Sequence, residues 1–126
     1  MDFKELLAYK KAFQLAMNIF EITKGFPVEE KYSLTDQIRR SSRSICANIA
    51  ESYRKRNYPN HFISKLSDAD MENSETQVWL DFALSCKYLE ESIHSNLSSE
   101  ISEIGRILNF MILNPEKFGS NSKPKL

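Results

Sequence analysis

The stretch over residues 34–56, LTDQIRRSSRSICANIAESYRKR, constrains the fold more than any other part of the chain. Taken as one helix turning about 100° per residue, it has two faces of opposite character. Leu34, Ile38, Ile45 and Ile49 fall on one side, with the small residues Ser41, Ser42 and Ser52 between them. Arg39, Arg40, Arg43 and Arg54 fall on the other, with Ala47 and Ala50 between them. Such a helix buries one side in a core and still offers a guanidinium-rich, thinly covered side to something else. The apolar side serves folding. The arginine side is where a function or a partner is to be sought.

Length and composition then bound the fold class. A chain of 126 residues is one ordinary domain, large enough to bury a real core. Gly (3) and Pro (4) are scarce, and β-branched residues never alternate with polar ones over a useful length, so the domain is expected to be all-helical. No apolar run approaches the roughly 18 residues of a membrane span, and the charged start MDFKELL does not read as a signal peptide. The expectation is a cytoplasmic protein with no membrane partner. Cys46 and Cys86 are too few for a disulfide framework; both fall in expected helices, where a buried free thiol is the expected state.

Four helices can be placed. The first runs from about Lys4 to Lys24, with Leu6, Phe13, Met17 and Phe20 on one side; Gly25 stops it and Pro27 bars its continuation. The second starts at Ser33, an N-cap with Asp36 in the capping-box position, and ends in the RKRN cluster, whose cations suit a helix C-terminus. Pro59 opens the third, which runs to about Lys87 with Phe62, Leu66, Ala69, Thr76, Leu80 and Ala83 inward. The fourth covers roughly Glu90 to Asn114, with Leu97, Ile101, Ile104, Leu108 and Ile112 inward. Short connections make neighbours antiparallel, which predicts an up-down four-helix bundle over residues 1–118 and a disordered tail over 119–126.

Charge is unevenly spread on a chain of zero net charge. Residues 33–56 carry six basic side chains (Lys55 and Arg56 beside the four arginines) against Asp36 and Glu51, a balance of +4, and residues 57–126 carry −4. A dedicated nucleic-acid module is usually basic overall; this dipole suits self-association as well as it suits RNA. The third helix adds a second apolar stripe. Met71, Val78 and Phe82 project opposite its inward side, with Trp79 on their flank and Asp68, Glu72 and Glu75 at the border. Each large side chain gains on the order of 1.5–3 kcal/mol by full burial, so the four together are expected to form a subunit interface, the alternative being a broad core face covered by both neighbouring helices. The bordering acids are natural partners for the arginine face of a neighbouring copy.

These residues carry a resemblance. LTDQIRRSSRSICANIAES resembles the signature of the small four-helix-bundle proteins encoded within intervening sequences of bacterial 23S rRNA genes, matching at Leu34, Thr35, Gln37, Ile38, Arg39, Arg40, Ser41, Ser42, Ser44, Ile45, Asn48, Ile49, Ala50, Glu51 and Ser52. FPVEEKYSLT and SETQVWLDFALSCKYL are also similar to the family, and the likeness covers about residues 1–114. Ser52 stands where the family often has Gly, and Cys46 where Pro is common. The resemblance implies ring-shaped homopentamers of four-helix protomers more than it implies an activity. A related branch, the accessory protein of diversity-generating retroelements, binds a reverse transcriptase and nucleic acid through a basic surface. The balanced charge of this chain departs from that strongly basic pattern.

Catalytic motifs are thin. Glu91-Ser92-Ile93-His94 is a single Glu-x-x-His, whereas a di-iron bundle needs two, plus a carboxylate on each of two other helices. Arg56 and His61 match the Arg-x4-His spacing of helical ribonuclease toxins of the HEPN type, with His61 as general base or acid and Arg56 steadying phosphorane charge. Pro59 interrupts that motif. Gln37, Ser44, Asn48 and Glu51 line one edge of the second helix and are expected to form a hydrogen-bonded seam that fixes helix register or a subunit contact.

The reading is thus a non-enzymatic oligomeric scaffold without cofactor or metal. It binds a macromolecular partner: other copies of itself through Met71, Val78, Trp79 and Phe82, and RNA, DNA or a nucleic-acid-bound protein through Arg39, Arg40, Arg43, Arg54, Lys55 and Arg56. A nucleic-acid-binding accessory protein is the alternative, and a ribonuclease the outlying one.

Overall fold

A computed structural model describes residues 1–121 of the chain. Four helices make up the described part: α1 (Leu7–Thr23), α2 (Leu34–Arg54), α3 (Pro59–Ser85) and α4 (Glu91–Leu113). Short 3₁₀ turns at Phe3–Glu5, Val28–Glu30 and Pro115–Phe118 flank or link them. Each helix packs on its sequence neighbours, α4 closes against α1, and α1 and α3 stand at diagonal corners. The pairing is antiparallel throughout. Ser41 meets Thr76 and Glu51 meets Lys65 between α2 and α3, while Asp81 meets His94 and Asn73 meets Ile101 between α3 and α4.

The broadest packing is between α2 and α3. Ile38, Ile45 and Ile49 of α2 are fully buried, as are Phe62, Leu66, Ala69, Leu80 and Ala83 of α3. Ser41, Ser42 and Ser52 of α2 are nearly or wholly without solvent as well. A buried hydroxyl is costly unless it is hydrogen-bonded, and each of these finds a partner. Ser42 and Ser52 donate to carbonyls one turn back, at 3.1 and 2.7 Å. Thr76 Oγ1 reaches the Glu72 carbonyl at 2.8 Å and Ser41 Oγ the Ile38 carbonyl at 3.3 Å, and the two hydroxyls share a hydrogen bond across the contact at 2.8 Å. The expected inward residues of α3 are all buried, and so are those of α4 except Ile112, which is half-buried while Met111 takes the inner position.

The structure corrects several local expectations. The side of α1 that carries Phe13 and Met17 faces out, and both are exposed. The inner side is Ala8, Ala12, Leu15, Ala16 and Ile19, where the alanines let the helix approach its neighbours closely. Helix α2 does follow Ser33, but the Ser33 side chain caps no amide. Glu30 does that work instead, accepting from Ser33 Oγ at 2.6 Å, from the Leu34 amide at 3.4 Å and from the Tyr88 hydroxyl at 2.8 Å. Those bonds hold the Glu30 carboxyl below its usual range and push the Tyr88 phenol up to about 12. Helix α3 ends at Ser85, and two residues on Lys87 takes the left-handed conformation (φ 63°) while the Tyr88 amide bonds back to the Ala83 carbonyl at 2.9 Å. At the other end, Gly119 and Ser120, expected in a disordered tail, are placed. Ser120 is buried and Gly119 lies beside the Arg56 guanidinium. Residues 122–126 of that expected tail lie outside the described residues.

Ile45 has no solvent exposure and sits mid-helix in the α2 core stripe. Ile45→Ala is predicted to cost about 2–5 kcal/mol by chemical denaturation. A cost below about 0.5 kcal/mol, the scatter of surface substitutions, would show that α2 is rotated from this arrangement.

Candidate functional site

The two surfaces singled out from sequence lie on adjacent helices. The outward ridge of α2 presents Asp36, Arg39, Arg40, Arg43, Ser44 and Ala47 around a shallow depression of about 430 Å³. The six cations do not behave alike. Arg39 is held by α1: its Nε donates to Thr23 Oγ1 at 2.8 Å, its Nη2 reaches the Phe20 carbonyl at 3.4 Å, and its guanidinium stacks 4.8 Å from the Phe20 ring centre. Arg56 is likewise tied down, donating from Nε to the Tyr53 carbonyl at 2.8 Å with its guanidinium 3.6 Å from the centre of the Tyr53 ring. Both are half-buried and lock loop ends rather than offering charge outward. Arg40, Arg43, Arg54 and Lys55 are exposed, and among the described residues none of them makes an ion pair within 4.0 Å.

The division follows from register. Arg39 is turned toward α1, whereas Arg40 is turned toward α3 and the Glu72 carboxyl. Burial pushes the pKa of Glu72 up, Glu75 and Asp68 push it further, and Arg40 opposes them. One oxygen of Glu72, Oε2, is buried and has no hydrogen-bond partner among the described residues. The expected polar seam along Gln37, Ser44, Asn48 and Glu51 is only partly there. Glu51 pairs with Lys65 at 2.8 Å, but the Asn48 amide turns back to the Ser44 carbonyl at 3.0 Å. The buried polar links across helices are instead Ser41–Thr76 and the bond from Asn73 Nδ2 to the Ile101 carbonyl at 2.9 Å. Asn73 and Thr76 keep a helical spacing on the α3 core stripe; that spacing was the available signal for them.

On α3, Met71, Val78 and Phe82 are 67%, 48% and 55% exposed. Trp79 is half-buried at their edge, its ring 6.0 Å from that of Phe82 and its Nε1 donating to Glu75 at 3.2 Å. Beside them a hollow of about 440 Å³ is lined by Tyr32, Leu34, Gln37, Trp79, Phe82 and Cys86.

The catalytic candidates acquire ordinary partners. His94 Nε2 lies 2.8 Å from Asp81 and clasps α4 to α3. His61 is exposed and meets the Tyr58 ring edge-on, while Arg56 is spent on Tyr53; no hydrogen bond joins the two among the described residues. No group of three or more His, Cys, Asp or Glu among the described residues is arranged to hold a metal ion. No described helix is long and apolar enough to cross a membrane.

The described residues thus form a four-helix bundle with an arginine-rich ridge on α2 and an exposed apolar face on α3. The chain belongs to the 23S rRNA-intervening sequence protein family, whose model matches residues 4–110. It is similar, at 29% identity, to the crystal structure of a protein of unknown function from the S23 ribosomal protein family of Bacteroides thetaiotaomicron VPI-5482. That match covers 85% of this chain and 96% of the other, with a TM-score of 0.77. No curated protein matches the chain.

The two cysteines separate chemically. Both are free, but Cys86, expected to be buried, is exposed at the end of α3, where the chain leaves the core. Cys46 is half-buried, and burial pushes its thiol up to about 11. Because the thiolate is the reactive form, Cys86 is predicted to react with a thiol reagent at pH 8 more than about tenfold faster than Cys46, with both reacting in denaturant. Equal native rates, or no free thiol in denaturant, would contradict this.

Proposed function

We propose that this chain is a non-enzymatic scaffold that works as a closed ring of copies, five in number as the resemblance of its sequence implies. The observation that carries the reading is the outward face of α3, where Met71, Val78 and Phe82 lie in solvent beside Trp79. Large apolar side chains gathered on one exposed helix face, rimmed by polar residues, mark an interaction surface. A second surface complements it. Phe13 and Met17 are exposed on α1, in the stripe that continues through Phe20 to Arg39 and Arg43. One face is apolar with an acidic border and the other apolar with a basic one. Two different faces that pair make a head-to-tail contact, and such contacts close into rings when the rotation allows. Sedimentation equilibrium at micromolar concentration is predicted to give a multiple of the 14.6 kDa chain mass, and Trp79→Asp with Phe82→Asp to give single chains that remain helical. Wild type at 14.6 kDa would overturn the reading.

A second reading rests on the exposed Arg40, Arg43, Arg54 and Lys55. In it the ridge contacts the phosphates of RNA or DNA, or of a nucleic-acid-bound protein partner. Such binding is independent of sequence, and each lost phosphate contact flattens its dependence on salt. With four free cations per chain it is weak for one copy and multiplied by a ring. Titration of a short RNA across a salt series is predicted to show weaker binding and a shallower slope for Arg40→Glu with Arg43→Glu than for wild type. An unchanged affinity and slope would assign the ridge to contacts between copies. The ribonuclease reading predicts RNA cleavage that His61→Ala removes; the separate engagements of Arg56 and His61 speak against it.

A further inference from the structure

A further concavity of the bundle lies away from both surfaces, between α1 and α4. It has a volume of about 540 Å³, a floor of Leu6, Ala8, Ile107 and Met111, and walls that include Leu7 and Phe110. Leu7 and Phe110 are 56% and 47% exposed, and Leu113, one turn beyond Phe110 on α4, is 69% exposed. Ala8, buried at the base of the groove, is the one small side chain among its lining residues. A trough of this kind between two helices is the shape that receives the apolar side of a third, read through anchors at i, i+3 or i+4, and i+7.

We propose that this groove docks an amphipathic segment of another protein, apolar on one side and acidic on its flanks. The charge around the groove selects the flanks. Glu103 on its wall is already neutralised by Lys11 at 3.0 Å. Arg106, also on the wall, is exposed and makes no ion pair among the described residues. Lys117 Nζ sits 5.1 Å from the centre of the Phe110 ring at the groove's edge, next to the exposed Glu116. Helix α1 begins at the groove with no side-chain cap and no acid in its first turn, so the positive end of its dipole adds to the cationic rim. The chain's own positions beyond 121 bring Lys123 and Lys125, the same sign as the rim, and match it poorly. An acidic flank on a partner would meet Arg106 and the start of α1 while its apolar side chains cover Leu7 and Phe110.

The test uses the whole protein and two fluorescein-labelled helical peptides about 15 residues long, with Leu and Phe at the anchor spacing and either Glu or Lys on the flanks. Fluorescence anisotropy is predicted to show saturable binding of the Glu peptide, roughly tenfold tighter than the Lys peptide. Arg106→Glu should erase that preference, and Leu7→Glu with Phe110→Glu should lower affinity more than about tenfold. Phe110→Leu, which keeps an apolar wall, should retain binding, and circular dichroism of each variant checks that the helices are intact. Trp79→Asp with Phe82→Asp should leave peptide binding unchanged, so the groove and the ring fail separately. Equal binding of the two peptides, or none, overturns the proposal. So does a change in subunit number on Leu7→Glu with Phe110→Glu, which would make the groove a contact between copies.

Discussion

The close contact between α2 and α3 is the constraint on which the rest of the bundle depends. It is built from isoleucines alternating with serines, so the helices meet at small side chains instead of being held apart by large ones. Ser41, Ser42 and Ser52 are buried with their hydroxyls satisfied, and Ser41 is bonded across the contact to Thr76. A polar pair at that depth costs desolvation and returns little net stability. Its effect is to favour one register, because sliding either helix by one turn leaves two buried hydroxyls without each other. Asn73, bonded to the Ile101 carbonyl beside Gly105, sets α4 against α3 in the same manner.

That economy inside has a consequence outside. With alanines and serines filling much of the helix contacts, large apolar residues remain that the core does not absorb. Phe13 and Met17 stay out on α1, Met71, Val78 and Phe82 on α3, and Leu7, Phe110 and Leu113 around the α1–α4 groove. These sets occupy separate places on the bundle, and the nearby charges differ: basic beside the first, acidic beside the second, cationic around the third. The arginine ridge between the first two is already thinned, since Arg39 and Arg56 are committed to holding α1 and the end of α2.

Much of this was legible in the sequence. The arginine–isoleucine division of α2, the inward stripe of α3 and the breaks at Gly25 and Pro59 fix four helices and their order, because periodicity of 3.6 is a strong signal over long segments. The failures have physical causes. Helix α1 carries two apolar stripes about a third of a turn apart, and hydrophobicity alone ranks the phenylalanine stripe above the alanine one, although close approach favours the alanines. The carboxylate that meets the start of α2 is Glu30, upstream of the Ser33 position where the capping-box pattern looks, and its other oxygen is held by Tyr88, 58 residues away, which no local pattern contains. Arg39 and Arg40 are adjacent in sequence and identical in chemistry, yet 100° of helix sends one to the Phe20 ring and the other toward Glu72. Whether an arginine is free was decided by those neighbours, not by its own position.

The chain has one tryptophan, and it stands at the edge of the α3 face, half-buried in a single copy. Its fluorescence reports directly on whether that face is covered. At micromolar concentration Trp79 is predicted to emit at short wavelength and resist acrylamide quenching, and dilution to shift the emission red and open it to quencher while the helical circular dichroism holds. Emission and quenching that stay the same at every concentration, at the level of a half-exposed indole, would contradict it.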